Sequence, residues 1–214
     1  PAPLTVSEHL LTYLLMAQRR STEVRQAEIA DAALRIIATR GIGALTVAAL
    51  AKELGLTGGA LYRHFESTDA ILEAVAARVV SLLVATLPDP SLPPLTWLER
   101  FIESRASTVA GHAGLARLLF SDQLALALPA PALEHLRTVY KSTSAAMLRA
   151  IAEGQARGEI RRDLEPMELV PIVMGSVQML VMSQAGTIMP RMTSAPKIWS
   201  TLHTLLSPTK GAKR

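Results

Sequence analysis

Apolar residues recur along this chain at three- and four-residue spacing, and no stretch alternates with the period of two that marks a strand. The pattern predicts an all-α protein. A first helix is expected from about Thr22 to Arg40, stopped by Gly41. Two short helices follow within Thr46–Phe65. A long one begins near Ser67, capped by Ser67 or Thr68 with Asp69 in its first turn, and ends near Leu87 before Pro88. The proline-rich stretch from Pro88 to Pro94 reads as a linker. Further helices are expected over Leu95–Gly111, Gly114–Asp122, Ala132–Arg157, Met167–Ala185 and Ala195–Leu206, separated by Gly114, Pro129, Pro131, Gly158, Pro166, Pro190 and Pro196.

The stretch Thr46–Phe65 carries the most information. Thr46 is a good N-cap, and Val47, Leu50, Ala51 and Leu54 then give one apolar face. Gly55 stands where a helix end needs positive φ, and Leu56 plugs the turn. Thr57 caps a second helix that turns Leu61 and Phe65 inward. Gly58, Gly59, Tyr62, Arg63 and His64 are left largely outward. This is the division of labour of a helix-turn-helix, in which the first helix braces and the second enters the major groove.

The run from about Arg25 to Val75 resembles the DNA-binding head of the TetR family of bacterial transcriptional repressors. The resemblance rests on Ile29, Ala33, Ile36, Gly41, Thr46, Leu50-Ala51, Gly55-Leu56-Thr57, Ala60-Leu61-Tyr62, His64-Phe65, Ser67 and Asp69. One departure stands out: the family usually has a lysine where this chain has Thr68, which removes one phosphate-facing cation. The resemblance implies that Tyr62 and His64 contact phosphates, and that Arg63 reaches either a phosphate or a guanine edge. Thr46 and Thr57 each present a capped helix N-terminus to a phosphate. Gly58 and Gly59 let the reading helix approach closely. Arg25 and Gln26 reach the backbone or a minor groove, and Thr68 keeps a hydroxyl for phosphate.

Composition narrows the remaining classes. The chain has 214 residues, 50% of them apolar and 4% aromatic, enough for one large or two small helical domains. Cysteine is absent, which excludes disulfides and thiolate chemistry and suits a reducing compartment, so a cytoplasmic location is expected. The formal charge of +4 fits nucleic-acid binding, although the tail supplies much of it. The apolar run from Leu4 to Met16 is broken by Glu8 and His9. It is followed, not preceded, by Arg19 and Arg20, so it reads as an extra amphipathic helix or loose arm and not a secretory signal. Leu169–Pro190 is uncharged and long enough to cross a bilayer. Pro171, Gln178 and Gln184 favour instead a helix covered by its own core on one side and a partner subunit on the other, so no membrane span is expected.

The expected organisation is an arm over 1–21, a DNA-binding domain over 22–66, a ligand-binding and dimerisation domain over 67–208 and a basic tail over 209–214. In the larger domain Trp97, Phe101, Phe120, Tyr140, Met147, Met174, Met179 and Met182 are candidates to line an apolar cavity. Gln178 is an amide that needs a partner, and Arg105 and His112 are candidates for an acidic head group. The helices 167–185 and 195–206 are expected to pair with their copies in a homodimer, with Gly175 and Ser176 allowing close approach and a charge at Val177 breaking the pairing. Catalysis finds no support, since the histidines are scattered and no metal spacing or phosphate loop is present. No cofactor is expected.

The function these features point to is a repressor that binds a palindromic double-stranded operator as a homodimer and is released by a small apolar effector. Two readings stay open beside it: a DNA-binding protein of the same fold without an inducer, and a helical enzyme or carrier.

Overall fold

The computed structural model describes residues 24–37, 39–112, 115, 116, 119, 122–185 and 193–208. The arm over 1–21, the tail over 209–214 and Phe120 lie outside the described residues. Every regular element among the described residues is helical. Helix α1 covers 24–37. Next come α2 (Val47–Leu54), α3 (Gly58–Tyr62), α4 (Thr68–Val84) and α5 (Pro94–Gly111). Helices α6 (Asp122–Ala127), α7 (Ala130–Ala156), α8 (Pro166–Ala185) and α9 (Ala195–Leu206) follow.

The head is built on local capping chemistry. Thr46 Oγ1 accepts from the Ala49 N–H at 3.1 Å, Thr57 Oγ1 from Ala60 at 3.2 Å and Ser67 Oγ from Ala70 at 3.1 Å, so α2, α3 and α4 each begin on a hydroxyl cap. Gly55 ends α2 at φ 65°, a left-handed conformation that glycine adopts without a Cβ clash. Ile29, Ala33, Ile36, Leu50, Leu61 and Phe65 then close one buried core beneath the three helices. Helix α3 stops at Tyr62, earlier than the inward Phe65 suggests. Phe65 still reaches the core because its N–H bonds the Leu61 carbonyl at 3.1 Å.

Helix α4 belongs to both parts of the molecule. Ile71, Val75 and Val79 are buried along it, and Leu82 and Leu83 are buried near its C-terminal end. Its body packs on α7, the long central helix, which also meets α5 and α8. The Arg78 guanidinium donates to both carboxylate oxygens of Asp31 on α1, at 2.8 and 3.0 Å, and so clamps α4 to the head.

Several prolines that read as interruptions turn out to start helices. Pro94 and Pro166 occupy first positions, where a missing N–H costs nothing. Pro131 and Pro196 likewise fall in first turns. Pro171 lies inside α8, which continues through it. A further correction concerns residues 122–127. They form α6, where the sequence suggested a connection reaching to Ala132. The short turn after α7 is fixed by Gly158 at φ 74°, by Ile160 buried against Gly154, and by Gln155 Nε2 donating to the carbonyls of Arg161 and Leu164, both at 2.8 Å.

Helix α8 is long and apolar enough to cross a membrane by length and composition alone. In this chain its Leu169, Val170, Val173, Val177, Leu180 and Val181 are buried in the protein's own core. Its other side exposes Met167, Ile172 and Met179, and α9 exposes Leu205. Val177 therefore faces inward, contrary to its expected place in a pairing surface.

Candidate nucleic-acid interface and effector cavity

The residues expected to touch DNA gather on the exposed side of α2–α3 and at the start of α4. Tyr62 is 51% exposed, and Thr46, Thr57, Gly59, Arg63 and Thr68 are exposed as well. Gly58 and His64 are half-buried. A Cβ on Gly59 would meet nothing within 4 Å, so the surface there is open to a close approach. Arg25 is also half-buried and is paired with Glu28 at 2.7 Å on the surface of α1, a contact that must loosen before it can reach a phosphate. Arg35 of α1 reaches Glu53 of α2 at 3.3 Å and helps hold the bracing helix in place.

The second site is a cavity of about 290 Å³ between α4, α5, α7 and α8. Leu83 contributes from α4, and Phe101, Arg105 and Val109 from α5. Val139, Tyr140 and Thr143 come from α7, and Met174, Val177, Gln178 and Val181 from α8, with Leu119 completing the wall. Phe101, Arg105, Tyr140, Met174 and Gln178, all singled out from the sequence, thus meet around one space. The other described candidates do not reach it. Trp97 is buried one layer behind, its ring stacked on Phe101 with centroids 5.5 Å apart. Met147 is fully buried in the core, and the half-buried Met182 lies off the wall. Met179 points outward. His112 turns its Nδ1 to the Thr108 carbonyl at 2.8 Å, where only a protonated nitrogen can donate, and stands apart from the lining.

Sequence reasoning missed Leu83, Val109, Leu119, Val139, Thr143, Val177 and Val181. They are small or aliphatic residues, indistinguishable by type from the rest of the core. Only their register on four helices brings them to one space.

The cavity's electrostatics are one-sided. Arg105 is buried, with its guanidinium carbon 5.0 Å from the centre of the Phe101 ring. Loss of hydration lowers its pKa to about 10, so it stays cationic at neutral pH. Burial raises the pKa of the Tyr140 phenol, partly opposed by Arg105, so the phenol is neutral.

Residues 29–75, spanning α1 to the middle of α4, match the family model described as bacterial regulatory proteins, tetR family. The head of this chain is thus similar to the DNA-binding head of the tetR family. That head, together with transcriptional repressors among the curated relatives, supports a DNA-binding regulator. Among curated relatives it is similar to the transcriptional repressor DhaR of Mycobacterium sp. strain GP1, with 28% identity over 161 residues, covering 73% of this chain and 80% of DhaR. The fold is shared with the tetR-family regulator PfmR from Thermus thermophilus, at a TM-score of 0.70 and 20% identity over 87% of this chain and 96% of PfmR. It is shared equally with AibR, solved in complex with isovaleryl coenzyme A and operator DNA, at a TM-score of 0.68 and 17% identity over 85% of this chain and 97% of AibR.

Proposed function

We propose that this tetR-family regulator is a cytoplasmic repressor that binds a two-fold operator as a homodimer and releases it when a small, mainly apolar molecule fills the cavity. Residues 22–66 would bind DNA, and 67–208 would hold the effector and the partner subunit. The observation that carries the reading is the path of α4. Arg78 clamps it to α1 of the head, and Leu83 forms part of the cavity wall. Leu83 lies five positions along the helix from Arg78, roughly 7.5 Å at 1.5 Å per residue. A ligand that displaces Leu83 has a short, rigid lever to the reading helix. Tilting the two heads of a dimer then spoils the match between two recognition helices and successive major grooves. That AibR is recorded with an acyl thioester and operator DNA together supports the view that this architecture carries both kinds of site.

The dimer is supported by the outward apolar side of α8. Ile172 and Met179 lie one heptad apart, with Gly175 and Ser176 between them, and both are about half exposed, at 52% and 45%. A face of that kind in a soluble protein asks for cover, and a second copy supplies both the cover and the symmetry of a palindrome.

The test is a genomic pull-down with the full chain to obtain the operator, followed by operator titrations with and without candidate effectors. Ligand binding that weakens operator affinity supports the proposal. Operator binding that no cavity ligand alters would favour a regulator without an inducer, and absence of DNA binding would sink the proposal entirely.

A further inference from the structure

The cavity walls are apolar except for Arg105, Tyr140, Thr143 and Gln178, and among these Arg105 alone carries a charge. Arg105 is 9% exposed and makes no hydrogen bond or ion pair with any described residue. Among the described residues its guanidinium lies over the face of Phe101, which tolerates a cation without neutralising it. Thr143 is 1% exposed, and its Oγ1 has no hydrogen-bond partner. Both residues line the same cavity, as does Tyr140, three residues before Thr143 on α7.

A buried cation and a buried hydroxyl left unsatisfied are each costly to a fold. A protein keeps such groups where a ligand completes them. All four can donate, but only the Arg105 guanidinium cannot also accept, and no carboxylate lines the cavity to pair its charge among the described residues. The missing group is therefore an acceptor that carries negative charge. A cationic ligand would meet the Arg105 charge at close range in a poorly screened space. The volume, about 290 Å³, is at the small end of ligand pockets, which run from about 300 to 1,000 Å³. It suits a compact apolar body, with Val109, Val139, Val177 and Val181 around it.

We infer that the cavity is a receptor for a compact carboxylic acid, short branched or aromatic, whose carboxylate is held by the Arg105 fork and the Thr143 hydroxyl while its apolar body fills the aliphatic end. The inference rests on reading this cavity as the effector site, and it names the chemical class of the effector. Arginine is suited to the task because its planar fork meets both carboxylate oxygens.

The test uses the full chain with phenylacetate, isovalerate and cyclohexanecarboxylate, each against its neutral primary amide, with isovaleryl coenzyme A as the thioester arm. Calorimetry reads affinity, and thermal unfolding reads the unliganded protein. At least one acid is expected to bind, and its amide to bind tenfold or more weakly. Arg105→Met should cost the acid at least tenfold while leaving the unliganded melting temperature equal or higher, because an unpaired buried charge is removed. Thr143→Val should weaken the acid and leave the amide nearly unchanged. The inference is overturned if the amides bind as well as the acids, if none of the acids binds, if the thioester alone binds, or if Arg105→Met keeps acid affinity. A drop in the unliganded melting temperature of Arg105→Met would also overturn it, since it would make the arginine a structural group packed on Phe101. A neutral compound that binds and frees the operator would defeat the carboxylate inference but keep the effector reading. An acid that binds through Arg105 without touching operator affinity would do the reverse.

Discussion

Tyr62 and Arg63 stand at the exposed end of α3, with the buried Leu61 beside them as the anchor. Because both side chains are exposed, changing them is expected to separate DNA binding from folding. Tyr62→Phe and Arg63→Ala are expected to weaken operator binding, with helicity and dimer mass unchanged by circular dichroism and sedimentation. If Arg63 meets a phosphate, its loss lowers affinity evenly across sequences and reduces the salt slope by about one. If it reads a guanine, discrimination at one base pair falls instead. Operator affinities equal to wild type in both variants would remove these residues from the interface. At this scale the sequence was most legible where backbone chemistry is local. Thr46, Thr57 and Ser67 cap their helices as their residue types suggest, and Gly55 takes its left-handed turn. It was least legible in the cavity, where Thr143 looked like any other helical threonine. Its missing hydrogen bond depends on which helices surround it.

Helix α4 is the element through which the two sites can communicate. Its half-buried, two-pronged contact from Arg78 to Asp31 is its charged tie to α1, stronger than a surface pair but short of a fully buried one. Asp31→Asn or Arg78→Met is expected to cost about 1–2 kcal/mol of stability, read by chemical denaturation. The same variants should leave effector affinity intact while shrinking the effector's influence on operator binding. Unchanged coupling would place the lever elsewhere. A second element-scale tie secures α9. The Arg161 N–H donates to the Leu206 carbonyl at 2.7 Å, and its guanidinium reaches the Leu205 carbonyl at 3.3 Å, filling acceptors that a helix end leaves open. Hydrogen bonding from Arg161 holds the Asp163 carboxyl below the usual carboxylate range, so the support this pair gives is present above the unfolded carboxylate value and fades as pH falls through the lower folded one. Helix positions followed closely from apolar spacing. Their edges were blurred by proline, because Pro94, Pro131, Pro166 and Pro196 break a helix read from one side and begin one read from the other.

For the whole molecule, the proposed assembly rests on the division of α8 into a buried face and an exposed apolar one. A charge at Val177 would tear the protein's own core, since that side chain is 4% exposed and lines the cavity. Ile172→Glu combined with Met179→Glu is the sharper test, because both positions already face outward. The double variant is expected to fold, to sediment at half the wild-type mass and to bind operator weakly. A double variant that remains a dimer would move the interface off α8. The overall architecture was legible because helical periodicity, caps and breakers are encoded locally. Which side of α8 faces inward was not, because a helix apolar all round gives periodicity no contrast to work with. The reading as a ligand-controlled regulator turns on one quantity: the operator affinity of the full chain, measured by fluorescence anisotropy at zero and at saturating effector. A coupling of about 1–3 kcal/mol corresponds to a 5- to 150-fold loss of operator affinity, and linkage requires the operator to weaken effector binding by the same factor. Equal operator affinity with the cavity empty and demonstrably filled would contradict the proposal.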